Sequence, residues 1–192
     1  EGFSLGKKET NMGQRCSDTR SIQFDDVRVP ADQLIGGSES GGWMNAMKAF
    51  DMSRPNIAAH ATGLARAAYE HALQYSGERE TFGKPLYRHQ AIQFMLADMK
   101  TKIEASRMLT WKSAADSDAG VKNTESAAHA KRFAADTAME VSTDAVQVYG
   151  GYGYSEEYPV ARLMRAAKVM QIYEGSSQVQ KMIIGREITK DL

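Results

Sequence analysis

The chain has 192 residues, of which 42% are hydrophobic and 25% are charged, and its 24 basic residues balance 24 acidic ones. This balance gives no electrostatic preference for nucleic acid or an anionic membrane, so a small molecule or a second copy of the chain is the favoured partner. The composition predicts a globular chain with a substantial core, consisting of one domain with an appendage. No apolar run is long enough to span a bilayer, and we expect no membrane insertion.

Residues 1–38 carry the pattern of β-strands. Apolar residues such as Ile22 and Phe24 stand among charged ones, and turn residues occur at Asn11–Gly13 and at Gly36–Gly37. We expect these strands to belong to a separate sheet. The single cysteine has no partner for an internal disulfide, and the four histidines form no metal-binding pair, so no metal site is expected.

Helical spacing begins after Gly41 and continues for some thirty residues, although Pro55 is expected to kink the helix or restart it. A loop from about Gly77 to Arg88 leads to a second helix. This helix is marked by apolar residues from Ile92 to Leu109, and a polar turn is expected from Ala114 to Lys122.

A third helix is expected after Asn123 and Thr124, which are favourable helix caps. One of its faces carries small side chains that predict close packing, namely Ala127, Ala130, Ala134, Ala138, Val141 and Ala145. Gly150–Tyr154 ends this helix, and a shorter helix is expected on each side of Glu174. The sequence therefore predicts a mainly α fold, in which a few strands precede an antiparallel bundle of four to five helices over residues 39–192.

Glu174 lies in the short break between the two C-terminal helical patterns. Ser177 and Gln180 match a capping box, which predicts that the last helix begins at Ser176 or Ser177. Glu174 would then precede a helix N-terminus and stand beside Gly175, whose missing side chain leaves room for a ligand. Two interpretations are open: a catalytic base, or a carboxylate that complements the helix dipole by about 0.3–1 kcal/mol.

The loop after the first helix has the residue types of a diphosphate site. Arg79 offers the planar fork that binds phosphate oxygens in pairs, and Thr81 adds a hydroxyl donor. Phe82 can stack on a flat heterocycle, and His89 and Gln90 follow in the same loop between the first two helices. The alternative is an ordinary solvated surface loop.

Two further groups are candidates for binding. Gln147 precedes Gly150 and Gly151, where missing side chains would let a phosphate or an adenine approach the backbone, although a helix C-cap explains the glycines equally well. Asp51 and Arg54 place opposite charges three residues apart on one helix face. Their alternative interpretation is a surface ion pair worth a few tenths of a kcal/mol, roughly.

Taken together, in this order and spacing, these segments resemble the acyl-CoA dehydrogenase family, and the medium-chain branch is the nearest likeness. The resemblance covers the whole chain. It rests on Asn11–Arg20, Phe50–Pro55, Arg79–Gly83, Asp144–Gln147, Glu157–Val160 and Tyr173–Gly175. Because family members are longer and this chain begins without an initiator Met, we expect it to be the C-terminal portion. Residues 1–38 would be the end of the middle β-domain, and residues 39–192 would be the C-terminal helical bundle domain.

The resemblance implies FAD-dependent α,β-dehydrogenation of a fatty acyl-CoA thioester in β-oxidation, with an electron-transfer flavoprotein as the electron acceptor. Glu174 would remove the α-proton while hydride passes from the β-carbon to flavin N5. The residues matched by position to FAD contacts are Arg79, Thr81, Phe82, Gln90, Gln147, Gly150, Gly151, Ser176 and Gln178. The residues matched to substrate contacts are Asp51, Arg54, Tyr173 and Gly175.

Several of the FAD contacts come from a neighbouring subunit in the family, so a homodimer or homotetramer is implied. Two alternatives stay open: an acyl-CoA oxidase that uses oxygen, and a non-catalytic helical assembly module. A pure scaffold has no physical need for Glu174 together with Arg79, which favours the enzyme. Some branches of the family place the base near Ser53, whose hydroxyl cannot serve, so Glu174 keeps the role. The implied location is the cytoplasm in a bacterium and the mitochondrial matrix in a eukaryote.

Overall fold

Residues 1–192 are described by a computed structural model, and five α-helices form most of the chain. The helices are α1 Gly42–Glu78, α2 Gln90–Asp118, α3 Thr124–Tyr149, α4 Pro159–Met170 and α5 Ser177–Thr189. Short connections join them into an antiparallel bundle that follows a β-hairpin, which confirms the predicted mainly α fold. None of the helices is both long and apolar enough to cross a membrane.

The N-terminal segment forms an antiparallel hairpin of β1 (Phe3–Lys8) and β2 (Arg20–Phe24). Phe3 lies opposite Phe24 with the ring centroids 5.7 Å apart. The apolar side chains of both strands are exposed. Strands are therefore present where they were predicted, while the boundary at residue 38 between two domains stays a prediction.

Helix α1 continues through Pro55 without restarting. A proline has no N–H, so the carbonyl oxygen of Asp51, four residues earlier, loses its partner within the helix. That oxygen accepts a hydrogen bond from the Asn123 side-chain amide at 3.1 Å instead. The proline therefore frees a carbonyl that ties α1 to the start of α3.

The connection between α1 and α2 contains structure that the sequence pattern did not predict. Two short strands, β3 (Glu80–Thr81) and β4 (Lys84–Pro85), pair around a two-residue turn at Phe82 and Gly83. Both turn residues have positive φ, 51° and 73°, as hairpin turns of this length often require.

Helix α2 is longer than expected. It continues to Asp118, so the polar turn predicted from Ala114 was wrong at its start. Lys112 and Asp116 form an i,i+4 ion pair in this last part of the helix. The polar residues occupy an exposed helical face rather than a turn.

Helix α3 is the centre of the bundle and contacts each of the other four helices. All six small residues predicted to form its packing face are fully buried, which allows close approach of α1 and α2. The core continues through apolar residues of all helices except α5. Helix α3 also buries a charged residue within this apolar environment, because Lys131 is fully buried.

Candidate active site

Glu174 lies, as predicted, in the loop that connects α4 with α5. Its backbone φ is +58°, and that of the following Gly175 is +87°. This left-handed region is open to glycine but disfavoured for other residues. Two successive residues in this conformation reverse the chain sharply before α5 begins.

The capping box predicted for α5 was wrong by one residue. Ser176 is the N-cap, and its hydroxyl accepts a hydrogen bond from the backbone N–H of Val179 at 3.3 Å. Ser177 donates instead to Asp136 of α3, at 2.9 Å. The Gln180 side chain turns away from the helix end and into the loop. Contacts with α3 and with the Glu174 loop therefore override the local capping motif.

Three side chains hold the backbone carbonyl groups of the loop, and we call them the carbonyl clamp: Lys131, Gln180 and Arg54. The Gly175 carbonyl oxygen accepts hydrogen bonds from Lys131 Nζ at 2.7 Å and from Gln180 Nε2 at 2.9 Å. The Glu174 carbonyl oxygen accepts from Gln180 Nε2 at 3.1 Å and from Arg54 Nε at 3.4 Å. All three side chains are buried.

Lys131 was missed by the sequence analysis. It belongs to the alanine-rich part of α3, one turn after Ala127, where a lysine breaks the expected apolar pattern. Burial lowers the pKa of the Lys131 amine to about 8, and the positive charge of Arg54 acts in the same direction, whereas Asp136 and Glu174 oppose it. A charged residue in a small-residue face is the signal that could have found it.

Asp136 ties the two ends of the loop together. Its Oδ1 accepts hydrogen bonds from Gln171 Nε2 at 2.8 Å and from Ser177 Oγ at 2.9 Å. The Ser177 backbone N–H also donates to the Gln171 carbonyl oxygen at 3.0 Å. The loop that carries Glu174 is therefore fixed at both ends as well as in its middle.

The Glu174 carboxylate has one oxygen bound and one oxygen free. Ser53 of α1 donates its hydroxyl proton to Glu174 Oε2 at 2.6 Å. Oε1 has no hydrogen-bond partner, and the residue is only partly buried. A carboxylate that is held through one oxygen while the other stays available has the arrangement that a proton acceptor needs. Ser53, unsuited as a base, orients the carboxylate.

Asp51 and Arg54 form an ion pair with an N–O distance of 3.0 Å. Their side chains are only 23% and 7% exposed, so the alternative interpretation as a surface ion pair was wrong. The other Asp51 oxygen accepts from Thr124 Oγ1 at 2.6 Å. Burial lowers the pKa of the Arg54 guanidinium, against the opposing effect of Asp51 and Glu174. Their polar atoms are engaged within the chain, and their role in substrate binding stays a prediction.

Tyr173, the other predicted substrate residue, is partly buried, and its hydroxyl donates to Met170 Sδ at 3.1 Å. Burial raises the pKa of Tyr173, and the neighbouring Glu174 carboxylate adds to this effect. The tyrosine therefore stays neutral beside the loop. Gly175 contributes its carbonyl oxygen to the clamp, and its role towards a thioester stays a prediction.

A separate cavity of about 570 Å³ lies where α1, the short hairpin and the end of α3 meet. Five of the predicted FAD contacts line it, together with a stacked pair of tyrosines, Tyr75 and Tyr149, whose ring centroids are 4.0 Å apart. The five predicted residues are Arg79, Thr81, Gln147, Gly150 and Gly151. The structure thus brings together residues from two segments more than sixty positions apart.

The chemistry of this cavity fits a diphosphate or an adenine. Arg79 is an exposed cation, while the Thr81 hydroxyl is within 3.2 Å of His89 Nε2. A Cβ added to Gly150 or Gly151 would meet nothing within 4 Å, so the glycines leave open space. Gly150 also has φ +60° at the end of α3, so the C-cap interpretation is satisfied at the same time.

The remaining predicted FAD residues do not line this cavity. Phe82 is 97% exposed at the tip of the short hairpin, with its ring 6.3 Å from that of His89. Gln90 is exposed at the first position of α2, and Gln178 is exposed in the first turn of α5. Ser176 serves as the N-cap of α5. We call the five residues that line the cavity the cavity group. The other four lie outside its lining, with Phe82 and Gln90 between the short hairpin and the start of α2, and Ser176 and Gln178 at the start of α5.

Comparison with known proteins agrees with this fold and arrangement. Residues 40–189 match the family model described as acyl-CoA dehydrogenase, C-terminal domain. The cyclohexane-1-carbonyl-CoA dehydrogenase of Geobacter metallireducens is 51% identical over 99% of this chain and 50% of its own length.

Two solved structures are similar over almost the whole chain. The butyryl-CoA dehydrogenase of Megasphaera elsdenii has a TM-score of 0.95 and 51% identity, covering 97% of this chain and 49% of that one. A chain in the structure of the electron transferring flavoprotein of Acidaminococcus fermentans has a TM-score of 0.96 and 47% identity, covering 99% and 50%. The chain spans about half the length of these relatives. With this match over the helical bundle, the chain belongs to the acyl-CoA dehydrogenase family and corresponds to its C-terminal portion.

Proposed function

We propose that the whole protein to which this chain belongs is an FAD-dependent acyl-CoA dehydrogenase, with Glu174 as the base that removes the α-proton. The observation that carries the proposal is the Glu174 carboxylate, which is held by Ser53 through one oxygen and free at the other. The relatives act, by their names, on acyl-CoA thioesters. An assembly module would not need a carboxylate that is oriented and still available.

The chain's own residues carry out the proton transfer in this proposal. Oε1 of Glu174 takes the α-proton of the thioester, and the Ser53 hydrogen bond to Oε2 keeps the carboxylate turned towards it. The pair of electrons from the α C–H bond becomes part of the new α,β double bond as the β-hydrogen leaves as hydride. FAD, when bound, supplies the acceptor for this hydride. A positioned base of this kind is typically worth about 10²- to 10⁴-fold in rate.

FAD would be held by the cavity group through Arg79, Thr81 and Gln147, with Gly150 and Gly151 leaving space for the diphosphate or adenine. Phe82, Gln90, Ser176 and Gln178 would complete the contacts. The lining of this cavity includes none of the residues that bond to Glu174, and an assembly in which one subunit's cavity serves the FAD at another subunit's Glu174 would account for this separation. A homodimer or homotetramer follows from this proposal.

For the onward transfer of electrons we propose an electron-transfer flavoprotein, since a similar chain occurs in a structure of such a protein from Acidaminococcus fermentans. For the substrate we propose a short or compact acyl group rather than a medium-length one. This preference rests on the names of the relatives, which mention butyryl-CoA and cyclohexane-1-carbonyl-CoA. The likeness of the sequence to the medium-chain branch therefore does not decide which acyl group is the substrate.

The test is the visible spectrum of the complete protein loaded with FAD, recorded anaerobically before and after addition of butyryl-CoA or octanoyl-CoA. We expect the flavin band to bleach and one enoyl-CoA to form per flavin, faster with butyryl-CoA. Admitting air then separates two enzymes, because rapid reoxidation by oxygen would indicate an oxidase. Bound flavin that no acyl-CoA reduces, or absence of bound flavin, would contradict the proposal and favour the assembly module.

A further inference from the structure

Two buried side chains beside the Glu174 loop take no part in the proton transfer itself. Lys131 comes from α3 and Gln180 from α5, and both are fully buried. They meet at the carbonyl oxygen of Gly175, at 2.7 and 2.9 Å, and Gln180 also reaches that of Glu174 at 3.1 Å. Two helices thus direct their buried polar groups at one two-residue stretch of backbone.

Packing alone does not explain this choice of residues. Burial of the Lys131 amine disfavours its charged form, and an apolar side chain such as methionine would fill the same volume without that penalty. Gln180 is also not fully satisfied, because its Oε1 is buried without any hydrogen-bond partner. Rotating the amide would turn this oxygen towards two carbonyl oxygens, so the observed orientation is the one that the loop demands. Each residue therefore carries a free-energy cost, the buried amine for Lys131 and the unpaired oxygen for Gln180, and each supplies hydrogen-bond donors to the loop.

The loop needs these donors because of its backbone conformation. With φ at +58° and +87°, Glu174 and Gly175 turn both of their carbonyl groups into the bundle, towards the clamp. A buried carbonyl without a donor is unfavourable, and a left-handed glutamate is disfavoured on its own. If the donors were removed, the two peptide groups would be free to rotate, and the direction of the Glu174 side chain would change with them.

We propose that Lys131 and Gln180 are positioning residues for Glu174, because their hydrogen bonds to the carbonyl oxygens of Gly175 and Glu174 hold the left-handed backbone from which the carboxylate projects. The inference rests on the proposed function of Glu174 as the base. Neither residue touches the reacting atoms in this account. They act by fixing the origin and direction of the carboxylate, and a displacement of the order of 1 Å is enough to slow a reaction about 10²-fold.

The experiment compares Lys131→Met with the unmodified complete protein, both loaded with FAD. We expect flavin reduction at saturating butyryl-CoA to slow by at least about tenfold, while FAD content and the Kd for acyl-CoA change by less than about twofold. Hydrogen exchange of the amides in residues 171–180 should become faster. The matched control is Lys112→Met, which removes an exposed lysine paired with Asp116 and should leave the reduction rate and the exchange unchanged.

A purely structural lysine would lower the melting temperature without changing the reduction rate or the exchange of this segment, and that result would overturn the proposal. A slower rate with unchanged exchange would overturn it as well, because the backbone would then be held by other contacts. If Lys131→Met does not fold, Gln180→Leu removes the second donor and must produce the same two changes.

The two proposals fail separately in this experiment. If the unmodified, FAD-loaded protein is not reduced by butyryl-CoA, the proposed function is refuted. The exchange data from the same samples would still show whether Lys131 and Gln180 hold the loop. If the unmodified protein is reduced and Lys131→Met matches it in rate, only the positioning role is refuted.

Discussion

Replacing Gly175 by alanine should destabilise the chain. A Cβ at this position would lie 2.7 Å from Gln180 Nε2, and the backbone φ is +87°. The left-handed conformation costs a residue with a side chain about 1–2 kcal/mol. Gln180 cannot retreat without weakening its bonds to two carbonyl oxygens, each worth about 0.5–1.5 kcal/mol. We therefore expect a loss of about 2–4 kcal/mol in the free energy of unfolding.

Gly185→Ala on the following helix is the matched control. A Cβ there would meet nothing within 4 Å, and the residue lies inside α5, so alanine should stabilise the chain by about 0.5–1 kcal/mol. Equilibrium unfolding in urea, followed by circular dichroism on the 192-residue chain, measures both changes. If the two alanine variants unfold within about 0.5 kcal/mol of each other, the loop relaxes freely and the reasoning about a fixed left-handed turn is refuted.

Two further predictions concern buried charges. Between pH 8 and 10.5, the unfolded chain keeps the Lys131 proton that the native protein, with a pKa of about 8, has lost, so stability should rise with pH. Relative to Lys131→Met, the unmodified chain should gain up to about 3 kcal/mol across this window, and parallel stability curves for the two proteins would contradict this. Asp51→Asn should lower stability by about 2–3 kcal/mol because it leaves the buried Arg54 without its anion. In the same urea titration, Glu70→Gln, which breaks an exposed pair with Arg66, should cost less than about 0.5 kcal/mol, and equal losses would show that the buried pair is not special.

The sequence predicted the helices well wherever apolar residues repeat at helical spacing. Helix α3 begins at Thr124, directly after Asn123, although Asn123 makes no side-chain cap hydrogen bond. Its predicted small residues from Ala127 to Ala145 all face the core. The end of α2 was misjudged because the residues after Ser113 are small or polar and none of them is buried, which removes the periodic signal although the helix continues to Asp118. Periodicity shows which face is buried, but it cannot show how far an exposed turn extends.

The details of the candidate site depend on contacts between elements distant in sequence. Two adjacent serines stand at the start of α5, and the choice of Ser176 as the cap depends on Asp136 of α3, which engages Ser177. In the same way, the spacing of Asp51 and Arg54 predicted their pairing but not their burial, which follows from their contacts with the start of α3 and the Glu174 loop. The local sequence was compatible with either serine as the cap and with either a surface or a buried ion pair, and contacts with other helices determine which arrangement forms.

The cavity group shows a second limit of prediction from sequence. Arg79 and Gln147 lie in separate segments, and no local pattern places them around one cavity. They were selected together only through the resemblance to a family. The physical chemistry of the residues indicates what such a cavity can bind, while the fold is needed to show that the residues meet. Their contact with FAD stays a prediction.

The most direct test of the account is the rate of anaerobic flavin reduction by butyryl-CoA in the complete Glu174→Gln protein. Glutamine keeps the shape of the side chain and can still accept the Ser53 hydrogen bond, but it cannot take up a proton. The control is Glu157→Gln, which replaces an exposed carboxylate that makes no ion pair. We predict that Glu174→Gln binds FAD and acyl-CoA normally and loses at least about 100-fold in the reduction rate, while the control is unaffected. A Glu174→Gln protein that is reduced as fast as the unmodified one would contradict the assignment of Glu174 as the base.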